Sequence, residues 1–185
     1  KRYLRYSMDG VFPTTGNYFS DNPDPNRWLK VSQDLGIRTR EWRTQGNHIL
    51  ICLQRNGGWS MKGLDNQDWA RDIITRIRQF SDRPIIIRGH PGDRGAGKYL
   101  NPKEKAYKLH GLDNVHISDR LNRSLQMDLN NAWCTVVYNS SPAVASAIEG
   151  IPVFVDDPVD CQAQDVCNTD IANIEMPDVF DRDLW

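Results

Sequence analysis

The chain is 185 residues long and carries 24 acidic and 23 basic side chains, for a formal net charge of −1. One full α/β core suits that length, two do not, and so balanced a charge exerts no global pull toward nucleic acid or an anionic membrane. No apolar run is long enough to span a bilayer, and the opening residues are not expected to act as a signal peptide.

Residues 1–45 show no steady period. Tyr3, Tyr6, Phe12, Tyr18 and Phe19 alternate with glycine and asparagine, Asp9-Gly10 reads as a turn, and 21–25 is a Pro-rich break. A short helix is expected over 28–35, stopped by Gly36. Without a steady period, 1–45 is read as a linker or the remnant of a preceding domain. A chain that begins at Lys1 without methionine and stops at Trp185 as a helix starts is expected to be a fragment of a longer protein. Residues 46–158 are then the main domain, and 159–185 a loop with a returning segment.

The run 48–54 (His-Ile-Leu-Ile-Cys-Leu-Gln) is continuously apolar between polar flanks, the mark of a central parallel strand. Behind it Gly57 and Gly58 let backbone N–H groups approach a ligand, Ser60 adds a hydroxyl, and Arg55 and Lys62 add positive charge. A plain flexible loop fits that stretch too, since its spacing is that of neither known phosphate loop. A helix follows, capped by Asp65 or Asn66. Its apolar face is Trp69, Ile73, Ile77 and Phe80, and its solvated face Arg71, Asp72, Arg76 and Arg78.

A second strand, 84–88, ends at Arg88 and runs into Gly89-His90-Pro91. A histidine at the carboxyl end of a parallel strand sits where open α/β sheets bind ligands, and Pro91 keeps His90 extended. A helix with Pro102 in its first position is expected over 101–110, and a third strand over 115–118. His110 and His116 read as surface and core residues. Ser124 then caps a helix whose Leu125, Leu129 and Ala132 face the sheet.

Residues 132–157 organise the rest. Strand 134–138 leads through Asn139-Ser140-Ser141-Pro142 into a small-residue helix, 143–149, closed by Gly150, and then into strand 152–155. Ser141 suits a cap, Pro142 the donor-free first position, and Gly150 the left-handed residue that ends a helix. The turn would present two hydroxyls and several unbonded amides, an anion site, although a simple helix cap explains it as well. After 155 come aspartates with little periodicity.

Five strands alternating with helices define a Rossmann-like, doubly wound parallel sheet. Cys52, Cys134, Cys161 and Cys167 lack C-x-x-C spacing, and two fall in candidate strands. That usage belongs to a reducing compartment, so a cytoplasmic protein is expected rather than a disulfide scaffold or zinc site. Three loops at strand carboxyl ends gather the candidate phosphate-binding residues: Arg55, Gly57, Gly58, Ser60 and Lys62; Arg88 and His90; Asn139, Ser140 and Ser141. These are donors for phosphate, with no carboxylate cluster to hold a metal, so no cofactor is required.

His90-Pro91 after one strand, and Ser140-Ser141 after another followed by a helix and Gly150-Ile151-Pro152-Val153, resemble the sugar-nucleotide half of GT-B glycosyltransferases. The likeness is to the bacterial sialyltransferase and capsule-polysaccharide transferase group with His-Pro and Ser-Ser motifs. Residues 54–60 are also similar to phage glycosyltransferase-like proteins. The resemblance spans roughly 48–158. It implies one half of a GT-B architecture, a nucleotide-sugar donor of UDP or CMP type, and a catalytic His90 that, with Ser140 and Ser141, steadies the leaving phosphate. Many relatives place a ribose-binding glutamate five residues before the helix-ending glycine. Here that position is Ala145, and the nearby acid, Glu149, takes the donor-binding assignment. The resemblance puts the general base in a preceding domain and leaves the acceptor, polysaccharide or modified nucleic acid, open. Rival readings are a non-catalytic nucleotide- or sugar-phosphate-binding module, and a sugar-nucleotide epimerase or hydrolase using His90.

Overall fold

The computed structural model describes residues 24–182 together with Gly10, Gly16, Asn22 and Trp185. The expectations for Asp9 and for the aromatic residues between Tyr3 and Phe19 lie outside those residues. In chain order the elements are α1 (Pro25–Leu35), β1 (His48–Cys52), α2 (Asn66–Ile77), β2 (Ile85–Arg88), α3 (Ala96–Tyr99), β3 (Val115–Ile117), α4 (Leu125–Leu129), β4 (Ala132–Val137), α5 (Pro142–Ile148) and β5 (Val153–Val155). The strands form one parallel sheet in the order β3-β2-β1-β4-β5, the Rossmann-like arrangement expected.

The apolar runs become strands because they are covered on both faces. From β1, Ile49 and Ile51 pack on the side of Trp69, Ile73, Ile74 and Ile77 of α2. Leu50 and Cys52, one residue out of phase, pack on the side of Leu129, Ala143 and Ala147. Each fully buried branched side chain contributes about 1.5–3 kcal/mol. The small residues of α5 let it lie close to β4, where Ser146 Oγ donates to Thr135 Oγ1 at 2.9 Å. Gly150 ends α5 at φ 71°, and a Cβ there would stand 2.0 Å from the Glu41 carbonyl oxygen, so the segment before β1 docks against it.

Several expectations yield to long-range contacts. No helix forms over 101–110; the short α3 lies earlier, at Ala96–Tyr99. The Gln67 side chain explains why, because its Nε2 donates to Ala106 O at 2.8 Å and its Oε1 accepts from Lys108 N at 2.7 Å. One carboxamide thus satisfies backbone groups that a helix would otherwise pair. The basic face of α2 is not merely solvated. Arg71 donates to the carbonyls of Lys108 and His110, Arg78 to those of Ser81, Arg83, Asp113 and Asn114, and Arg76 pairs with Asp156 at 2.9 Å. Phe80 lies beyond the end of α2 and is exposed, His116 is exposed rather than core, and Ala132 opens β4 instead of closing α4.

Candidate functional site

Leaving β1, the chain moves outward through β2 and β3, then returns to β4 on the other flank of β1. Loops leaving the carboxyl ends of β1 and β4 therefore diverge, and a crevice opens at that switch point. It holds a cavity of about 580 Å³. The cavity is lined by Gln54, Arg55, Gly58, Trp59 and Ser60 after β1, by Arg88, His90 and Pro91 at the end of β2, and by Asn139, Ser140 and Ser141 after β4. Leu125 and Gln162 lie among the other lining residues, and no aspartate or glutamate is among the described residues that line it.

The first loop is fixed from below. Gly58 N donates to Arg55 O at 3.1 Å across a turn that Gly57 completes at φ 70°, and buried Met61 anchors the 3₁₀ turn Trp59–Met61. Asp93, itself buried, ties this loop to the one after β2. It accepts from Asn56 N at 2.8 Å, Tyr99 Oη at 2.7 Å and Gly95 N at 2.8 Å. Burial opposes its ionisation, but these donors outweigh burial and hold its carboxyl below the usual range.

His90 is oriented by its own loop. Gly92 N donates to His90 Nδ1 at 3.0 Å, which puts the ring proton of the neutral imidazole on Nε2. Burial, then the nearby Arg55 charge, lowers the His90 pKa, so the ring is neutral near pH 7. A Cβ on Gly92 would come within 3.1 Å of His90 Cε1 and 3.2 Å of an Arg55 guanidinium nitrogen. The imidazole and the guanidinium therefore close in on Gly92 from one corner, and a larger residue there would press on both. The Arg55 guanidinium makes no hydrogen bond or ion pair among the described residues.

The turn after β4 departs from expectation. Ser141 makes no capping bond, and α5 spans only seven residues. Its first amides are already used, Ala143 N by Ser140 O at 3.1 Å and Val144 N by Ser141 O at 3.0 Å, and Pro142 has none to give. The turn therefore offers hydroxyls rather than a row of unbonded amides. Ser140 Oγ is buried with no partner among the described residues. Asn139 Nδ2 braces the two loops, donating to Ser60 O at 3.3 Å and Asp157 Oδ2 at 2.9 Å.

Arg88 lines the cavity but its charge is engaged. It is only 8% exposed and pairs at 2.5 Å with Asp128, itself 1% exposed. Asp128 also accepts from Ser118 Oγ and Arg123 Nε; burial opposes its ionisation, yet these bonds hold its pKa down. Three expected residues are not in the lining. Gly57 stands exposed at the turn apex. Lys62 turns away to Asp157 at 2.7 Å and Asp160 at 3.2 Å. Glu149 sits at the far end of α5, paired with Arg40 at 3.1 Å.

Sequence reasoning missed Gln54, Trp59, Leu125 and Gln162. Two signals were available. Gln54 is a polar residue closing an apolar run, and Trp59 is a large aromatic beside two glycines; it is 71% exposed at the cavity. Among the described residues, no three His, Cys, Asp or Glu side chains gather as a metal site would require, and no helix is long and apolar enough to cross a membrane.

No protein-family model and no curated protein matches the sequence. Among solved structures the fold is similar to that of Thermosulfurimonas dismutans KpsC, a beta Kdo 2,4 transferase. The TM-score is 0.51 with 16% sequence identity, over 80% of this chain and 53% of that one. At that identity the likeness concerns the fold, and this chain spans about half of that transferase. The class so defined is a Rossmann-like α/β domain, consistent with one half of a GT-B architecture.

Proposed function

We propose that this chain is the nucleotide-sugar-binding domain of a glycosyltransferase that needs no metal ion, taking a UDP- or CMP-type donor. The observation that carries this reading is the meeting of Arg55 and His90, whose Nε2 carries the proton, in one corner of a switch-point cavity also lined by Ser140 and Ser141 after β4. As the bond between the sugar's anomeric carbon and the phosphate oxygen breaks, negative charge collects on the departing nucleotide. Fixed donors aimed at that oxygen lower the barrier without a metal. The transferase fold of the distant structural relative adds support.

The acceptor must lose a proton, and among the described residues no carboxylate lines the cavity to take it. A preceding domain supplies that base in this reading, and the acceptor, polysaccharide or modified nucleic acid, is held there. An epimerase or hydrolase using His90 as base is less well supported, since Nδ1 accepts from Gly92 and Nε2 carries the proton. A non-catalytic nucleotide-binding module uses the same loops, and the absence of a lining carboxylate favours it equally. Turnover of a bound sugar nucleotide separates the two.

Titration with CMP, CDP, UMP and UDP, by calorimetry and thermal shift, tests the binding. One of these nucleotides is expected to raise the melting temperature; at a hundred times its Kd it adds about 2.7 kcal/mol. Its affinity should be unchanged by EDTA. A large loss in EDTA would point to a metal-dependent mechanism, and binding by none of the four would remove the reading.

A further inference from the structure

At the carboxyl end of the central strand, Gln54 is only 7% exposed and lines the cavity. Half of its carboxamide is engaged, with Nε2 donating to Ser60 Oγ at 2.7 Å. Its backbone carbonyl accepts from Asn66 Nδ2 at 2.6 Å, which fixes the residue from behind. The other half, Oε1, is buried with no partner among the described residues, and Ser140 Oγ after β4 is in the same condition. Exchanging the amide oxygen and nitrogen would leave a donor unpaired instead of an acceptor, so the imbalance survives either assignment. Buried polar atoms are seldom left unpaired, and a ligand that lines up with them restores the missing bonds.

The chemistry of these groups differs from that of the Arg55–His90 corner. A carboxamide oxygen repels phosphate, and a neutral amide beside a serine hydroxyl suits a group that both donates and accepts. We propose that Gln54 is a specificity-determining residue that takes a hydroxyl of the bound nucleotide sugar, with Ser140 bonding to the same region of the ligand. This rests on the reading of the cavity as a nucleotide-sugar site. The hydroxyl belongs either to the ribose or to the transferred sugar, and both present the same O–H chemistry.

Calorimetric titration separates these sources. Wild type is titrated with CMP and UMP and with their 2′- and 3′-deoxy forms, and with UDP-glucose and CMP-N-acetylneuraminic acid against UDP and CMP. A ribose contact predicts about tenfold weaker binding of a deoxy form. Gln54→Leu should then weaken the ribonucleotide to the level of the deoxy form and leave the deoxy form unaffected. A sugar contact predicts no ribose discrimination, and a loss of about tenfold in Gln54→Leu confined to a sugar nucleotide. Ser140→Ala removes a hydroxyl with no partner among the described residues and serves as the second variant, with the same selective loss expected; thermal melts confirm that each variant folds. Nucleotide binding with wild-type preferences in both variants would overturn this inference and leave the site reading standing. Failure of wild type to bind any of the probes would overturn both.

Discussion

Arg55 lies just after β1 and Arg88 ends the neighbouring β2, and both line one cavity, yet they do opposite things. Arg88 is buried against Asp128, with Ser118 and Arg123 filling the remaining positions on that carboxylate. Arg55 is exposed, makes no ion pair among the described residues, and shares a corner with His90. The first arginine fastens the β2 end to α4; the second leaves its charge for a ligand. Lys62, in the same loop as Arg55, repeats the lesson, because Asp157 and Asp160 hold its ammonium. A positive residue at a strand end keeps its charge available to a ligand only where no carboxylate of the chain reaches it first.

Removing the carboxylate partner of Arg88 should have the largest effect. Asp128→Ala strands a buried guanidinium and is expected to cost about 3–5 kcal/mol in urea unfolding. Arg55→Ala should stay within about 0.5 kcal/mol of wild type. Equal destabilisation by the two variants would collapse the distinction between them. Next comes His90. In the proposed transferase, losing a donor to the leaving phosphate should lower kcat by about 10²–10³, with KM changing far less and circular dichroism unaltered. Normal turnover in His90→Ala would reduce that ring to a loop residue.

Arg55→Ala should weaken nucleotide binding by about 1.5–3 kcal/mol, the range for a hydrogen bond to a charged group, with a smaller salt dependence than wild type. Unchanged affinity would move the phosphate away from the corner that Arg55 and His90 share. The smallest effect is on acid stability. Burial lowers the pKa of both His48, whose Nε2 donates to Asp128 O at 2.9 Å, and His90. The unfolded chain therefore binds more protons than the folded one just below the ordinary histidine value of 6.5. Stability should hold above that value and fall as pH drops through the lowered folded values. Urea midpoints measured from pH 8 to pH 5 check the sign, and His90→Ala should flatten the slope. The depressed carboxyls of Asp93 and Asp128 contribute a separate loss at lower pH. It begins near their ordinary 3.8 and runs down through the folded values.

The strands, the start of α2 at Asp65 or Asn66, the left-handed stop at Gly150 and the switch-point loops could be read from the sequence, and the structure chose Asp65 as the cap. Each of these depends on neighbours within a few residues: an apolar run, a side chain reaching two or three amides onward, a residue without Cβ. It also pointed to Arg55, His90 and Ser140, because strand carboxyl ends can be read once the strands are known. Tertiary structure alone decided which polar groups remain for a ligand. Asp128 is 40 residues from Arg88, Asp157 lies far along the chain from Lys62, and Gln67 reaches across to 106–108 to replace an expected helix. Such pairings depend on distances in space that no local pattern encodes. For the same reason Gln54, buried just past β1 with half of its amide unpaired among the described residues, was invisible until the walls of the cavity stood around it.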